Sequence, residues 1–416
     1  MAYHAEQGDR DRREENARLI AKPLGSAKED RELRVTRRLR VLVLGSSAGG
    51  GDWPPLVAAT LALSEAGHDI FYFGDEGLGN ATDGTGLRIE RVPLGLDLAS
   101  RMRAWRLERA QNPTAPFPMV GWVEDVAPLA VELAKSRAPD LLLCSDFTAL
   151  LAHRVRQEVG APICLIHATY YFGPGARRRL EDDFAPGTPA AAFARILQLP
   201  DLVLHATDAE FDPPPAAPPS NHHWIGTLIW EPVQASPAWL KEPGNPWALV
   251  TLSSARQENE LELARASLRA LADFPLRVLL TLADPEPGEA LRADAANVRI
   301  ETFVPHSAVL QRAALCVAHA GHGIVAKAIH FGVPMVLVPW DRDQPGVAAR
   351  AEALGVARVV ERDELTPEAL VQAIRNVLET SSYRERAAHH GERVRSTSAP
   401  ERVRQLVQEF MAPLAS

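Results

Sequence analysis

Residues 318–355 read "AHAGHGIVAKAIHFGVPMVLVPWDRDQPGVAARAEALG", and their order of residue types decides the fold class. An apolar strand, "LCVAH", ends at His319 and runs into the turn Gly321–His322–Gly323 at the start of a helix. Backbone N–H groups at such a helix start, together with the helix dipole, attract an anion, typically phosphate. His319 adds a side-chain donor at the same place. Nine residues past Gly323, "GVP" ends the helix and starts the strand "MVLVP", which delivers Asp343 and Gln344 to the same sheet edge. A carboxylate beside an amide suits a polyol, because one accepts hydrogen bonds and the other both donates and accepts. An anion cradle facing a polyol clamp describes a nucleotide-sugar site.

The flanking sequence supplies the scaffold. Of 416 residues, 46% are hydrophobic and 24% charged, as in a globular enzyme, and the length suits two α/β domains of roughly 150–200 residues. The net charge of −8 argues against a nucleic-acid partner. No run approaches the roughly 20 apolar residues of a bilayer span, and the N-terminus lacks the apolar segment of a secretory signal, so no stable membrane insertion and a cytoplasmic location are expected. Cys144, Cys164 and Cys316 each lie inside an apolar run without a neighbour at metal or redox spacing, and read as buried hydrophobes.

Residues 1–37 mix both charge signs with little periodicity, and are expected to form a disordered arm. From residue 38 strands alternate with helices: "LRVLVLGSS", "PPLVAATLALSEAG", "HDIFYFG", an irregular stretch over 75–120, then "DLLLCS", "APICLIH" and "DLVLHA" with helices between them. "DPPPAAPPSNHH" is the strongest breaker and places a linker at 212–228. A second series follows from "WALVTLSS" to "ARVV", with helices around 364–378 and 400–411. The expected organisation is an N-terminal acceptor domain at 38–211, a C-terminal donor domain at 229–400, and a helix at 401–416 that can return to the first domain. Such alternation builds parallel sheets, here two Rossmann-like ones facing each other across a cleft at their strand ends.

The stretch quoted first resembles the donor-binding signature of the inverting nucleotide-sugar glycosyltransferases of the GT-B fold, His–Gly–Gly–x–Gly–Thr, then Gly–Val–Pro, then Asp–Gln. Here it reads "HAGHGIV…GVP…DRDQP", and the resemblance extends weakly over 38–411. It implies that Phe303 stacks on the donor base and Val304 presents its backbone to the base edge. It implies that Ser254 touches phosphate, that His319 and the amides of Gly321, His322, Gly323 and Ile324 take the diphosphate, and that Asp343 and Gln344 take the sugar hydroxyls. Three positions depart from the pattern. Ala320 replaces a glycine and Ile324 replaces a hydroxyl residue. Lys327 stands where many members carry a ribose-binding Glu; an ammonium accepts no hydrogen bond, so UDP and dTDP donors both stay open. Lys327 is otherwise a residue of the outer helix face.

The glycine turn "GSSAGGGDWPP" at 45–55 has two readings. As a dinucleotide cradle it would use Asp75 on a ribose, yet G-x-G-x-x-G fails where Pro54 replaces the third glycine. As a glycosyltransferase turn it resembles the glycopeptide and sterol branch, where an aspartate replaces the general-base histidine. Asp52 is then the catalytic base, or it only caps the helix that follows. Trp53, Asp146 and His167 are acceptor-side candidates; Asp146 otherwise reads as a helix cap and His167 as a satisfied near-core histidine. The histidine pairs at 222–223 and 389–390 read as linker and helix surface. "DRD" at 341–343 is a chance metal pattern, and neither metal nor cofactor is required, because a helix start already offers positive potential.

The resulting expectation is an inverting, metal-independent transfer from a UDP- or dTDP-sugar to a hydroxyl of a small, largely apolar acceptor such as a natural product. A lipid or sterol acceptor at a membrane surface is the alternative, with the basic 101–109 segment touching the membrane. A nucleotide-sugar isomerase, an NAD-dependent oxidoreductase and a non-catalytic sugar-nucleotide binder are the readings from other classes. A homodimer is left open.

Overall fold

The computed structural model describes residues 37–48, 50–93, 95–112, 115, 118–171, 198–252, 260–282, 291, 297–340 and 342–415. Residues 38–416 form one compact unit. The arm expected at 1–37 lies outside the described residues except for Arg37.

Two parallel sheets organise this unit. The first comprises β1 (Arg40–Leu44), β2 (Asp69–Gly74), β3 (Ile89–Arg91), β4 (Leu141–Ser145), β5 (Ile163–His167), β6 (Leu202–His205) and β7 (His222–Trp224), in the order β3-β2-β1-β4-β5-β6-β7. The second comprises β8 (Trp247–Thr251), β9 (Arg277–Thr281), β10 (Val298–Glu301), β11 (Ala313–Ala318), β12 (Met335–Leu337) and β13 (Ala357–Val359), in the order β10-β9-β8-β11-β12-β13. Both orders reverse direction at one point, between β1 and β4 and between β8 and β11. Ligands of open parallel sheets bind beyond the strand ends at such reversals.

The central strands β4 and β5 are wholly buried, as "LLLCS" and "ICLIH" require of strands covered on both faces. Helices α1 (Trp53–Glu65), α2 (Glu76–Ala81), α3 (Leu98–Gln111), α4 (Met119–Arg137) and α5 (Ala149–Val159) belong to the first series. The second holds α6 (Glu260–Leu271), α7 (His306–Leu310), α8 (His322–His330), α9 (Gln344–Ala353) and α10 (Pro367–Glu379). Helices α11 (Ser381–Ser396) and α12 (Ala399–Met411) close the chain. From α12, Val403, Leu406, Val407 and Met411 pack into the core of the first sheet beside Leu56 and Leu63 of α1, so α12 returns to the first domain. All three cysteines are buried and free.

Three segments differ from the sequence expectation. The irregular stretch 75–120 contains α3, capped by Asp97, whose carboxylate accepts from Ser100 N at 2.7 Å. Leu98, Met102 and Trp105 turn inward at helical spacing, while the arginines between them hid the pattern. Within the expected linker, His222–Trp224 instead forms β7. His222 Nδ1 lies 3.0 Å from His205 Nε2, and the His205 ring stacks on Trp224 with centroids 4.2 Å apart. The pair at 389–390 lies inside α11, and His390 is buried rather than on the helix surface.

Candidate active site

The turn after β1 meets the start of α8. A Cβ placed on Gly51 would stand 4.0 Å from the Gly323 nitrogen, and one placed on Gly323 would stand 3.8 Å from the Gly51 Cα. The two glycine-rich turns, one from each sheet, therefore pass backbone against backbone.

Asp52 follows directly. It occupies the N-cap position of α1, but its backbone is helical and its side chain makes no capping bond, so the capping reading fails. The carboxylate turns instead toward the end of β4, where the Ser145 hydroxyl donates to its Oδ2. Amides of Asp146 and Phe147 also point at it. Ser145 is itself fixed, because its N–H donates to Thr148 Oγ1 at 3.0 Å and that hydroxyl donates to the Leu44 carbonyl at 2.6 Å. Asp52 is only 6% exposed. Burial first, and the nearby charge of Asp146 second, push its pKa up to about 8 against the pull of the hydrogen bonds.

Asp146 is not a helix cap. Its Oδ1 lies 2.7 Å from His167 Nδ1 and its Oδ2 accepts from Ala168 N at 3.0 Å. His167 Nε2 lies 3.0 Å from the Tyr170 carbonyl. With 0% exposure, His167 lines no acceptor pocket; it ends a strand buried on both faces. Trp53 is half-buried and packs edge-on against Trp230, with centroids 5.5 Å apart.

On the opposite side, the start of α8 is shaped by its backbone. Ala320 adopts φ +62°, the left-handed conformation that favours glycine. A Cβ on Gly321 would fall 2.5 Å from His319 Nε2, so the imidazole lies directly over this glycine. His322 is buried, and desolvation first, then the charge of His167, lower its pKa to about 4, which leaves it neutral. Ile324 points into the core, so only its backbone can face the turn. Val304 is buried beside Phe303, whose ring is 51% exposed. Ser254 lies outside the described residues.

Asp343 and Gln344 separate in role. Gln344 is 1% exposed and its Oε1 accepts from Trp340 N at 2.8 Å, closing the turn between β12 and α9. Asp343 is half-buried, and its Oδ2 accepts from Thr169 Oγ1, which follows β5 of the first sheet, at 2.9 Å. Helix α9 is held in place by Arg350, whose Nε lies 3.0 Å from the buried Asp212 and whose guanidinium sits 3.9 Å from the Tyr170 ring centroid. Tyr170 in turn rests on Gly346, where a Cβ would fall 2.3 Å from its hydroxyl.

Lys327 is not on an outer face. Its Nζ lies 2.6 Å from Glu231 Oε1, and the other Glu231 oxygen accepts from Ser307 N at 3.2 Å. Asp75, the acid of the dinucleotide reading, is spent on structure: it accepts from Ser46 Oγ, Ser47 N and Leu78 N within 2.9 Å. Sequence reasoning missed Ser145, Thr169, Asp212, Arg350 and Glu231. Each meets its partner only through the fold, and the sole local cue was the Asp–Pro dipeptide at 212–213.

Residues 265–410 match the family described as erythromycin biosynthesis protein CIII-like, C-terminal domain. The 4'-demethylrebeccamycin synthase of Lentzea aerocolonigenes is 25% identical over 84% of this chain and 94% of its own length. The O-mycaminosyltylonolide 6-deoxyallosyltransferase of Streptomyces fradiae is 33% identical over 48% of this chain and 47% of its own. Among solved structures, the glycosyltransferase VinC in complex with dTDP superposes with a TM-score of 0.68 and 23% identity, covering 89% of this chain and 99% of that one. No helix among the described residues is long and apolar enough to cross a membrane. The chain therefore has the two-sheet GT-B fold of these glycosyltransferase structures, and over residues 265–410 it is similar to the EryCIII-like C-terminal domain.

Proposed function

We propose that the chain transfers a sugar from a UDP- or dTDP-sugar to a hydroxyl of a small, largely apolar acceptor of the natural-product type, with inversion at the anomeric carbon and without a metal. The observation that carries this reading is the meeting of Gly51–Asp52 with the start of α8: a candidate base stands beside a candidate anion site.

The chemistry follows from that juxtaposition. Asp52 takes the acceptor hydroxyl proton as the oxygen forms its bond to the anomeric carbon. The bond from that carbon to the diphosphate breaks, and the leaving diphosphate keeps the electron pair. Amides at the start of α8 and His319 stabilise the departing charge, so positive potential is available without a metal. Attack from the face opposite the diphosphate inverts the centre. A base is most effective with a pKa near the working pH, and burial brings the Asp52 carboxyl to about 8. Asp343 binds sugar hydroxyls, Gln344 supports the turn that presents it, and Phe303 offers an exposed ring for the donor base. The activities named for these relatives and the dTDP held by VinC support this donor and acceptor class.

The test is thermal denaturation with UDP, dTDP, GDP and NAD⁺ at millimolar concentration. A ligand at 100 times its dissociation constant adds about 2.7 kcal/mol, a readily measured shift. Stabilisation by UDP or dTDP but not NAD⁺ is expected. Stabilisation by NAD⁺ alone overturns the reading.

A further inference from the structure

We propose that His167 is a positioning residue for the transfer reaction: a buried imidazolium that neutralises Asp146, so that Asp52 can exist as the carboxylate that accepts the proton. This rests on Asp52 being the base, and it names what sets that base's charge.

The hydrogen-bond geometry suits a cation. His167 Nε2 lies 3.0 Å from the Tyr170 carbonyl, which can only accept, so Nε2 carries a hydrogen. Nδ1 lies 2.7 Å from Asp146 Oδ1, and the other Asp146 oxygen accepts from a backbone N–H. With Asp146 as a carboxylate, both of its oxygens accept and Nδ1 carries a hydrogen too. An imidazole with two N–H groups is charged. The direction of its titration agrees. Burial, the largest single influence, pulls the pKa down, but the charge and hydrogen bond of Asp146, the Tyr170 carbonyl and Asp212 outweigh it and hold it above the usual histidine value.

The other titratable neighbours do not compete for that role. His205 of β6 crosses the His167 ring edge-on, with centroids 5.0 Å apart, and burial drives its pKa far down. His322 of α8 is likewise kept neutral. Asp212 is paired with Arg350. His167 pairs with Asp146, Nδ1 to Oδ1, at 2.7 Å.

Asp146 is also the carboxylate that bears on Asp52. It directly follows Ser145, whose hydroxyl donates to Asp52, and its charge is the second largest influence raising the Asp52 pKa. Two carboxylates at neighbouring strand ends, one after β1 and one after β4, repel, and the cation behind the second limits that repulsion. Removing the cation and removing the second carboxylate should therefore move Asp52 in opposite directions.

The experiment compares kcat/KM against pH for wild type, His167→Gln, Asp146→Asn and Asp52→Asn, alongside imidazole ¹⁵N NMR of histidine-labelled full-length protein. The acidic limb is expected to move up by about one pH unit in His167→Gln and down in Asp146→Asn. NMR is expected to show one buried histidine, absent from the His167→Gln spectrum, with both nitrogens protonated at a pH where a free imidazole is neutral. If His167→Gln does not fold, Asp146→Asn supplies both the limb shift and the change in that imidazole signal. A uniform loss of rate with an unmoved limb, or a neutral imidazole in the native protein, overturns the proposal. Near wild-type turnover in Asp52→Asn overturns the base assignment and this proposal with it. An inactive Asp52→Asn combined with an unmoved limb in His167→Gln removes this proposal alone.

Discussion

Thr169 Oγ1 lies 2.9 Å from Asp343 Oδ2, joining the end of β5 in the first sheet to the residue before α9 in the second. One oxygen of the Asp343 carboxylate, the proposed sugar ligand, is therefore oriented by the domain of the first sheet. Hydrogen bonds to charged groups contribute about 1.5–3 kcal/mol. Thr169→Val should raise the donor KM about tenfold, while the affinity for free nucleoside diphosphate, which lacks the sugar, stays unchanged. Donor-sugar kinetics beside calorimetry with the diphosphate alone will separate the two.

Asp52 has a carboxyl pKa of about 8, so at pH 6 most of the enzyme carries it protonated and unable to accept a proton. The kcat/KM profile should rise with pH and level off above about 8, with unit slope on the acidic side. A flat profile between pH 6 and 9 is incompatible with this base.

The same residue costs stability. A carboxyl whose pKa is raised on folding binds its proton more tightly in the native state than in the unfolded chain. Stability is then fullest below the unfolded pKa near 3.8, and falls as pH rises toward 8. Asp52→Asn cannot ionise, and its amide oxygen can still accept from Ser145. At pH 8 the variant should be more stable than wild type in urea, by up to about 5 kcal/mol, while losing about 10²-fold or more in turnover. The stability gain should vanish near pH 4.

Gly321→Ala directs a methyl to within 2.5 Å of His319 Nε2. The imidazole must leave its position over the helix start. Stabilisation by UDP or dTDP in thermal denaturation should fall by half or more, with little change in the melting temperature of the free protein. An unaltered ligand shift argues that His319 does not meet the diphosphate.

Arg350→Met removes the cation paired with Asp212, which is 1% exposed. Breaking a buried pair from one side costs about 3–5 kcal/mol, because a charge is left uncompensated. Denaturant unfolding should register most of that loss, and Asp212→Asn in the same background should recover part of it.

Much of this protein was legible along the chain because its signals are local. Strands such as "LLLCS" and the Gly–His–Gly helix start are built from neighbouring residues, and short-range sterics and hydrogen bonding make them readable. Helix α3 was hidden because arginines occupy its outer face, and only the inward turn of Leu98, Met102 and Trp105 separates it from a loop. The capping role available to Asp52 was a sound local expectation. It failed because Ser145, 93 residues away, offered its hydroxyl at the end of β4.

The sequence by itself determined the two α/β series, the glycine turns and the acid–amide pair at 343–344, since each depends on contacts within a few residues. Tertiary structure alone decided the chemical state of the side chains. Asp52 is pushed toward neutrality and His167 toward its charged form by burial and charges from distant segments, and Asp343 is oriented by Thr169. In a low-dielectric interior these neighbours, rather than residue type, set where the protons reside.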